Sequence, residues 1–209
     1  MRGAGRTMTT ADEGAGLRER KKRMTRQALR TAAVRLFAER GPTSVTVEEI
    51  CAEAGVSPRT FFNYFDAKEE TLLPFTRDTH EEVAGRVRAR PPEEEPLGAV
   101  RAVVEQSIAR AVAGDTWRQE AALLRANPQV LQRGMVAART LNLALRDGLG
   151  ERTGRGADDP YVRLVAAVSV TAVHVAVNVW QGAAEERDMS EVLAEAFDGV
   201  ERGLTPPPE

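Results

Sequence analysis

Cysteine and histidine are nearly absent from this sequence, and their scarcity excludes several kinds of site. Cys51 is the single cysteine, so no disulfide can form within the chain, as is typical of proteins in a reducing compartment. His80 and His174 are the two histidines, and the serine-hydrolase, zinc-protease, P-loop and dinucleotide-binding motifs are all missing. We therefore expect no enzymatic activity, no metal site and no cofactor.

Long uninterrupted apolar runs are also missing. The basic residues near the start are not followed by the apolar stretch of a secretory signal. The most apolar segment, residues 164–180, is interrupted by polar side chains and is about 17 residues long, which is short for a membrane span. We expect this segment to form a buried helix of a cytoplasmic protein with no membrane partner.

Charged residues are abundant and aromatic residues are few, at 29% and 5%, which favours helices over sheets. The net charge of −2 looks unsuited to nucleic-acid binding, but the charges are unevenly distributed. Residues 1–80 carry 14 Lys and Arg against 11 Asp and Glu, whereas the remainder carries 15 against 20. The N-terminal end is therefore basic, and this is the end where we expect a polyanion to bind.

Helix-capping signals divide the N-terminal part into short helices. Gly41 ends a first helix, the capping box from Thr46 to Glu49 opens a second, and Ser57 caps a third that begins with Pro58. The residues from Asp66 to Glu69 predict the start of a fourth helix, which we expect to run from Lys68 to about Ala89. Pro74 lies inside this fourth helix, where it either only kinks the helix or serves as a hinge.

Beyond a proline-rich break at residues 90–96, apolar residues keep helical spacing. We predict helices at about 97–113, 116–126, 128–153, 160–183 and 189–203, two of them started by the pairs Asn127-Pro128 and Asp159-Pro160. The chain is thus predicted to be all-α. Its parts are a disordered tail at 1–16, a helix-turn-helix domain at 17–66, a helical effector-binding and dimerisation domain at 67–203, and a disordered tail at 204–209.

The segment TVEEICAEAGVSPRTFFNYF, residues 46–65, contains two short capped helices that meet at Gly55. A glycine suits a tight turn that needs a positive φ, and Cys51 and Ala54 are small enough for close helix packing. Spacing alone leaves an ordinary helix hairpin open as the alternative.

Residues 25–73 resemble, almost position by position, the helix-turn-helix region of the TetR/AcrR family of transcription regulators. The resemblance implies an N-terminal three-helix helix-turn-helix domain, a fourth helix that leads into a helical ligand-binding and dimerisation domain, and a homodimer. Phe62 and Asn63 stand where many relatives carry tyrosine and a basic residue, so the operator sequence cannot be copied from a relative.

Candidate DNA contacts follow from this segment. We expect Arg59, Thr60 and Asn63 to reach base edges in the major groove. Hydroxyl and cationic groups are expected on phosphates or at helix N-termini beside them, and these candidates are Thr43, Thr46, Ser57, Tyr64 and Lys68. For Thr46 the alternative is a helix cap and nothing more. Cys51 is expected to be a packed core residue.

Residues 18–26, RERKKRMTR, hold six basic residues and one acidic residue. A charge run of this kind is usually a solvated helix face. Because it immediately precedes a helix-turn-helix, we interpret it as an arm that binds the DNA backbone or minor groove, with Arg26 as its candidate contact.

The segments LLRANPQVLQR and DDPYVRLVAAV, at 123–133 and 158–168, resemble the ligand domain of actinobacterial regulators related to the mycofactocin regulator. The resemblance implies a small acyl-thioester or other apolar effector. Candidate residues for a mostly apolar cavity are Trp117, Leu124, His174 and Asn178. For His174 and Asn178 the alternatives are a buried polar pair and a dimer contact. A DNA-binding module without small-molecule input stays open as well.

The helix predicted at 160–183 is apolar on nearly every side, which indicates burial on all sides and, in a chain of this size, a partner subunit. We therefore predict a homodimer formed through the last two helices. A two-fold dimer presents two recognition helices, so its operator is predicted to be a pseudo-palindrome of double-stranded DNA. The protein is expected to act as a repressor that its effector releases.

Overall fold

The computed structural model describes residues 10–127, 130, 135–183 and 187–204, and these residues contain helices and no β-strand. The chain divides into two compact units, one ending at Phe61 and one beginning at Phe62, slightly before the predicted boundary at 66/67. The predicted all-α fold is confirmed.

The first unit contains α1 (Thr10–Arg40), α2 (Val47–Ala54) and α3 (Pro58–Phe61). The second contains α4 (His80–Arg88), α5 (Pro96–Val112), α6 (Trp117–Ala126), α7 (Met135–Thr153), α8 (Pro160–Gly182) and α9 (Met189–Glu201).

Helix α1 begins earlier and ends where the sequence predicts. It starts at Thr10, so residues 10–16 are helical and the predicted disordered tail is too long, while residues 1–9 lie outside the described residues. Leu29, Ala33 and Phe37 bury its inner side. Gly41 ends the helix, because its φ of 76° leaves the helical region while its N–H still donates to the Phe37 carbonyl at 2.9 Å. At the other end of the chain, residues 205–209 lie outside the described part.

The fourth helix is much shorter than predicted. Residues 68–72 form a 3₁₀ turn, Leu73 is extended with a φ of −103°, a second 3₁₀ turn covers Arg77–Thr79, and α4 begins only at His80. Pro74 has no N–H for a helical bond and forces the residue before it out of the helical region. The prediction of a continuous helix from Lys68 to Ala89, kinked or hinged at Pro74, is therefore wrong. The turn at residues 68–72 has Ala67 as its N-cap, without a side-chain cap hydrogen bond, and the Asp66 N–H donates to the Glu70 carboxylate at 2.9 Å.

Helices α4 and α7 pack tightly against each other. The crossing point is Gly148 of α7, which has no side chain to separate it from the Ala84 backbone of α4. Polar contacts flank this point: His80 Nε2 lies 2.8 Å from Asp147 Oδ2, and Arg88 pairs with Glu151 at 2.6 Å. Close backbone packing and flanking polar contacts thus hold α4 and α7 together.

Helix α9 packs against α8 and α5. Arg101 of α5 pairs with Asp198 and Glu201 of α9, each at 2.7 Å. Asp159 caps α8 as predicted, its carboxylate accepting from the Tyr161 N–H at 2.8 Å. The inner side of α8 is buried, and its members are Val162, Val165, Ala166, Ser169, Ala172, Ala176 and Trp180.

The outer side of α8 is exposed in the single chain. Its large apolar members include Tyr161, Leu164, Val175 and Val179, which are 43–61% exposed. Among the described residues, α8 is the one helix that is long and apolar enough, by length and composition, to cross a membrane. The core helix of a soluble protein meets the same criterion, and a third of the apolar window of α8 is buried.

Candidate DNA-binding site and helical domain

The start of α2 is fixed by a reciprocal capping box. Thr46 Oγ1 accepts from the Glu49 N–H at 3.2 Å, and Glu49 Oε2 accepts from the Thr46 N–H at 2.8 Å. Glu49 Oε1 also accepts from Arg40 at 2.7 Å, which ties the end of α1 to the start of α2. The hydrogen bond from the Thr46 backbone and that from Arg40 lower the pKa of Glu49 from 4.5 to about 2.

This pKa predicts an acid-sensitive contribution to stability. Because the Glu49 pKa is lower in the folded chain, its carboxylate stabilises the fold above about pH 4.5, and this contribution is lost as the pH falls toward 2. We expect Glu49→Gln to unfold at lower urea concentration than wild type at pH 7, with the difference shrinking below pH 4.5. Glu48→Gln, on the same turn, serves as the control for removing one charge. A gap that stays constant from pH 7 to pH 3 would contradict this role.

The turn between α2 and α3 is made by Gly55. Its φ of 67° and ψ of 33° are left-handed, and its N–H reaches the Ala52 and Cys51 carbonyls, as the sequence predicts. Cys51 is 1% exposed, and burial raises the pKa of its thiol, so it is a packed core residue. Ile50 is likewise fully buried. The angle between the two helices is therefore set by a glycine turn and a small, closely packed interior.

Helix α3 is short, and its cap is local. Ser57 Oγ accepts from the Thr60 N–H at 3.2 Å and lies 3.0 Å from Thr60 Oγ1. The predicted N-cap at Ser57 is thus confirmed, and both hydroxyls are already engaged with each other. Phe61 is fully buried, whereas Arg59 is exposed. Arg59 is therefore the side chain of α3 that is both charged and accessible.

The other candidates differ in how accessible they are. Thr43 and Asn63 are exposed, whereas Tyr64, Lys68 and Arg26 are half-buried. The Thr46 hydroxyl donates to Glu49 Oε2 at 3.1 Å, so its capping role is present whatever else it contacts. The basic run at residues 18–26 lies within α1, where Arg18, Arg20, Lys21 and Arg23 are its exposed cations, and its binding to the DNA backbone or minor groove stays a prediction.

In the helical unit an aromatic pair joins α6 to α8. The rings of Trp117 and Trp180 lie 5.6 Å apart, and the Arg125 guanidinium lies 4.4 Å from the Trp180 ring. Gln181 donates to the Leu124 carbonyl at 2.8 Å. Trp117 and Leu124 are thus brought to one place, the contact between α6 and the end of α8.

His174 and Asn178 do not join Trp117 and Leu124. Both lie on the exposed side of α8, with Val175 and Val179, because the buried side of this helix is the one that ends in Trp180. The structure therefore does not assemble the predicted four-residue cavity lining. Of the alternatives, burial as a polar pair within the chain is excluded, and a place in a dimer contact stays a prediction.

Glu120 is a residue that the sequence reasoning missed. It is 2% exposed and accepts from the Thr116 hydroxyl at 2.8 Å. Its spacing of three and four residues from Trp117 and Leu124 would have placed it on the same side of α6. Among the described residues, no group of three or more His, Cys, Asp or Glu side chains is placed to hold a metal ion.

Comparison with known families matches both units. Residues 29–73 match the family described as bacterial regulatory proteins, tetR family, and residues 94–205 match the family described as MftR C-terminal domain. The HTH-type transcriptional regulator TcmR of Streptomyces glaucescens is 31% identical over 201 residues, covering 92% of this chain and 88% of TcmR. The BetI regulator of Rhizobium meliloti is 42% identical over 52 residues, covering 25% of this chain and 26% of BetI.

Two solved structures share the fold. Thermus thermophilus FadR, described as a TetR-family transcriptional repressor in complex with lauroyl-CoA, is 23% identical, covers 88% of this chain and 97% of its own, and has a TM-score of 0.53. The SmeT–triclosan complex is 20% identical, covers 88% and 99% of the two chains, and has a TM-score of 0.52. At these identities the likeness shows the fold alone.

Proposed function

The chain belongs to the TetR family of bacterial transcription regulators, and we propose that it represses its target genes until a small apolar or acyl-type effector releases it from its operator. The α2–α3 pair carries this proposal. Its caps and its glycine turn hold two short helices at a fixed angle, and Arg59 and Asn63 are exposed for contact with bases. Such a protein acts in the cytoplasm, where its DNA is.

An apolar effector is supported by the composition of the helical unit. The α6–α8 contact contains Trp117, Leu124 and Trp180, with Arg125 and Gln181 as the polar groups beside them. Binding sites for apolar ligands are typically lined in this way, with few polar groups that fix the orientation. The match of residues 94–205 to the MftR C-terminal domain is consistent with this class of effector.

The operator is proposed to be a pseudo-palindrome bound by a homodimer. The test is a selection of bound fragments from the source genome with the purified full chain, followed by release assays with metabolites of the neighbouring genes. Enrichment of a two-fold symmetric sequence, and its release by an apolar or acyl compound, is the expected result. Enrichment of no sequence would overturn the proposal. If a sequence is enriched but no such compound releases it, the protein binds DNA without small-molecule input, and the effector part of the proposal is wrong.

Replacing Arg59 tests base reading directly. We expect Arg59→Ala to cost about 1–3 kcal/mol on the selected operator and to relax base preference at one position of each half-site, since a bidentate arginine discriminates against wrong bases. The measurement is a fluorescence anisotropy titration against operator variants. Arg118→Ala, at an exposed position of α6, is the charge-matched control. If base preference in Arg59→Ala equals that of wild type, Arg59 does not read bases.

A further inference from the structure

The turn that follows α3 carries an exposed phenylalanine. Phe62 is 49% exposed, and Asn63 beside it is also exposed. About half of this side chain is accessible, and it lies next to the helix proposed to read DNA, so it is available for an apolar contact in the complex. The question is which chemical group such a ring would meet.

Arg77, fifteen residues later in the chain, binds the backbone of this turn. Its Nη2 donates to the Phe62 carbonyl at 2.9 Å, and its Nη1 lies 3.5 Å from Asp66 Oδ1. The Asp66 N–H in turn donates to Glu70, which is 7% exposed and whose pKa is raised by burial. The loop from residue 62 to residue 77 is thus closed by the Arg77 side chain on the Phe62 carbonyl, and the Glu70 carboxylate fixes its middle by accepting from the Asp66 N–H.

The backbone of Arg77 lies in a well-bonded turn. Arg77 is the first residue of the 3₁₀ turn that leads into α4, and Thr79 of the same turn is buried. The Thr79 hydroxyl donates to the Thr76 carbonyl at 2.8 Å and accepts from the Thr76 N–H at 2.9 Å. A side chain rooted there restricts where the Phe62 backbone can lie, and so restricts where its ring and Asn63 can point.

The chemistry of the major groove limits what Phe62 can read. A phenyl ring has no hydrogen-bond donor or acceptor in its plane, so it can only recognise an apolar group. The one apolar group on a base edge of unmodified DNA is the 5-methyl of thymine. Asn63, the next residue, has an amide that suits the N6 and N7 edge of adenine.

Resting on the proposed function, we propose that Phe62 reads the 5-methyl group of a thymine in each operator half-site and that Arg77 is the positioning residue that holds Phe62 for this contact. Arg77 acts through the Phe62 carbonyl and not through a phosphate. Its removal therefore changes which bases are preferred, whereas removal of a phosphate contact weakens binding to all sequences and lowers the salt slope.

Deoxyuridine tests the first half of the proposal, because it differs from thymidine only by the missing methyl. Each thymine of the selected operator is replaced in turn, symmetrically in both half-sites, and the Kd of the wild-type dimer is measured. Burial of one methyl predicts about a fourfold weakening per half-site, hence roughly fifteenfold at one symmetric position. In Phe62→Ala this discrimination is expected to disappear, and in Phe62→Leu to be partly kept.

Several outcomes would count against this reading by Phe62. Equal affinity for thymine and deoxyuridine duplexes at every position overturns it, as does discrimination that Phe62→Ala retains. Failure of the wild type to bind any operator is a separate result, since it removes the proposed function itself.

Arg77 variants test the second half. We expect Arg77→Gln to reduce the thymine-to-uracil discrimination at the Phe62 position to under twofold while the slope of log Kd against log salt stays unchanged. Arg77→Lys keeps a donor for the carbonyl and should restore part of the discrimination. Arg110→Gln, at another exposed arginine with a carboxylate partner, controls for loss of charge. Because Arg77 is largely exposed, the fold should persist, and a thermal melt checks this. A salt slope lowered by about one with full discrimination would make Arg77 a phosphate contact instead.

Discussion

Gly148→Ala is expected to destabilise the protein by about 2–3 kcal/mol, the upper part of the roughly 1–3 kcal/mol that overpacking typically costs, because the added methyl group would meet backbone atoms. A β-carbon at this position would lie 2.6 Å from the Ala84 carbonyl oxygen and 2.9 Å from the Val87 β-carbon. Two of its three nearest atoms are backbone, so no side-chain rotation can relieve the clash, and α4 and α7 must separate. The higher helix propensity of alanine offsets at most about 1 kcal/mol of this cost.

Gly85→Ala is the matched control, on α4 itself. Its added β-carbon would meet only the end of the flexible Arg88 side chain, at 3.5 Å, so the same substitution should be neutral or stabilising by up to about 1 kcal/mol. Urea unfolding followed by circular dichroism measures both. Equal midpoints for Gly148→Ala and wild type would mean that the α4–α7 crossing is looser than the structure has it.

Local chemistry explains which parts of the fold the sequence predicts well. The caps at Thr46, Ser57 and Asp159 and the turn at Gly55 all lie as predicted, because each depends on hydrogen bonds and φ angles within a few residues. The boundaries of α5, α6, α8 and α9 agree within about two residues for the same reason, whereas the predicted start of α7 at Pro128 lies outside the described residues. Family resemblance added the architecture, since spacing alone left an ordinary helix hairpin open.

The two errors near α4 have different causes: the break at Pro74 is local, whereas the contact between Arg77 and Phe62 joins residues distant in the sequence. The segment from Lys68 to Thr79 has a helical pattern, yet its side chains are mostly buried in 3₁₀ and extended backbone around Pro74. Helix-capping patterns also could not predict the hydrogen bond from Arg77 to the Phe62 carbonyl, because these residues lie fifteen positions apart. No local signal in the sequence indicates to which carbonyl an exposed arginine will donate a hydrogen bond.

The predicted lining of the effector site was wrong because the sequence did not show which side of α8 is buried. A helix as apolar as α8 gives almost no periodicity, so the sequence could not indicate that Trp180 faces inward and His174 outward. The same absence of periodicity is informative in another respect. In a single chain only one side of α8 is covered, which leaves an apolar outer side that needs a partner in water.

Val175→Asp is therefore expected to convert the protein from a dimer to a monomer. Val175 and Val179 are 49% and 45% exposed, one helical turn apart, and they flank the buried stripe of α8. In a two-fold interface each copy contributes the same face, so one substitution places two carboxylates in the apolar contact. An aspartate buried there must either remain charged without a partner or take up a proton, and both disfavour association.

Light scattering at micromolar concentration measures the change as a halving of the mass toward 22.8 kDa. Ala122→Asp, at an exposed position of α6, introduces the same charge outside the predicted interface and should leave the dimer intact. A monomeric wild type, or a Val175→Asp variant that stays dimeric, would contradict assembly through α8. Loss of the dimer should also weaken binding to the full operator far more than binding to a single half-site. In a dimer, binding of one recognition segment raises the effective concentration of the other at the second half-site, and a monomer lacks this gain.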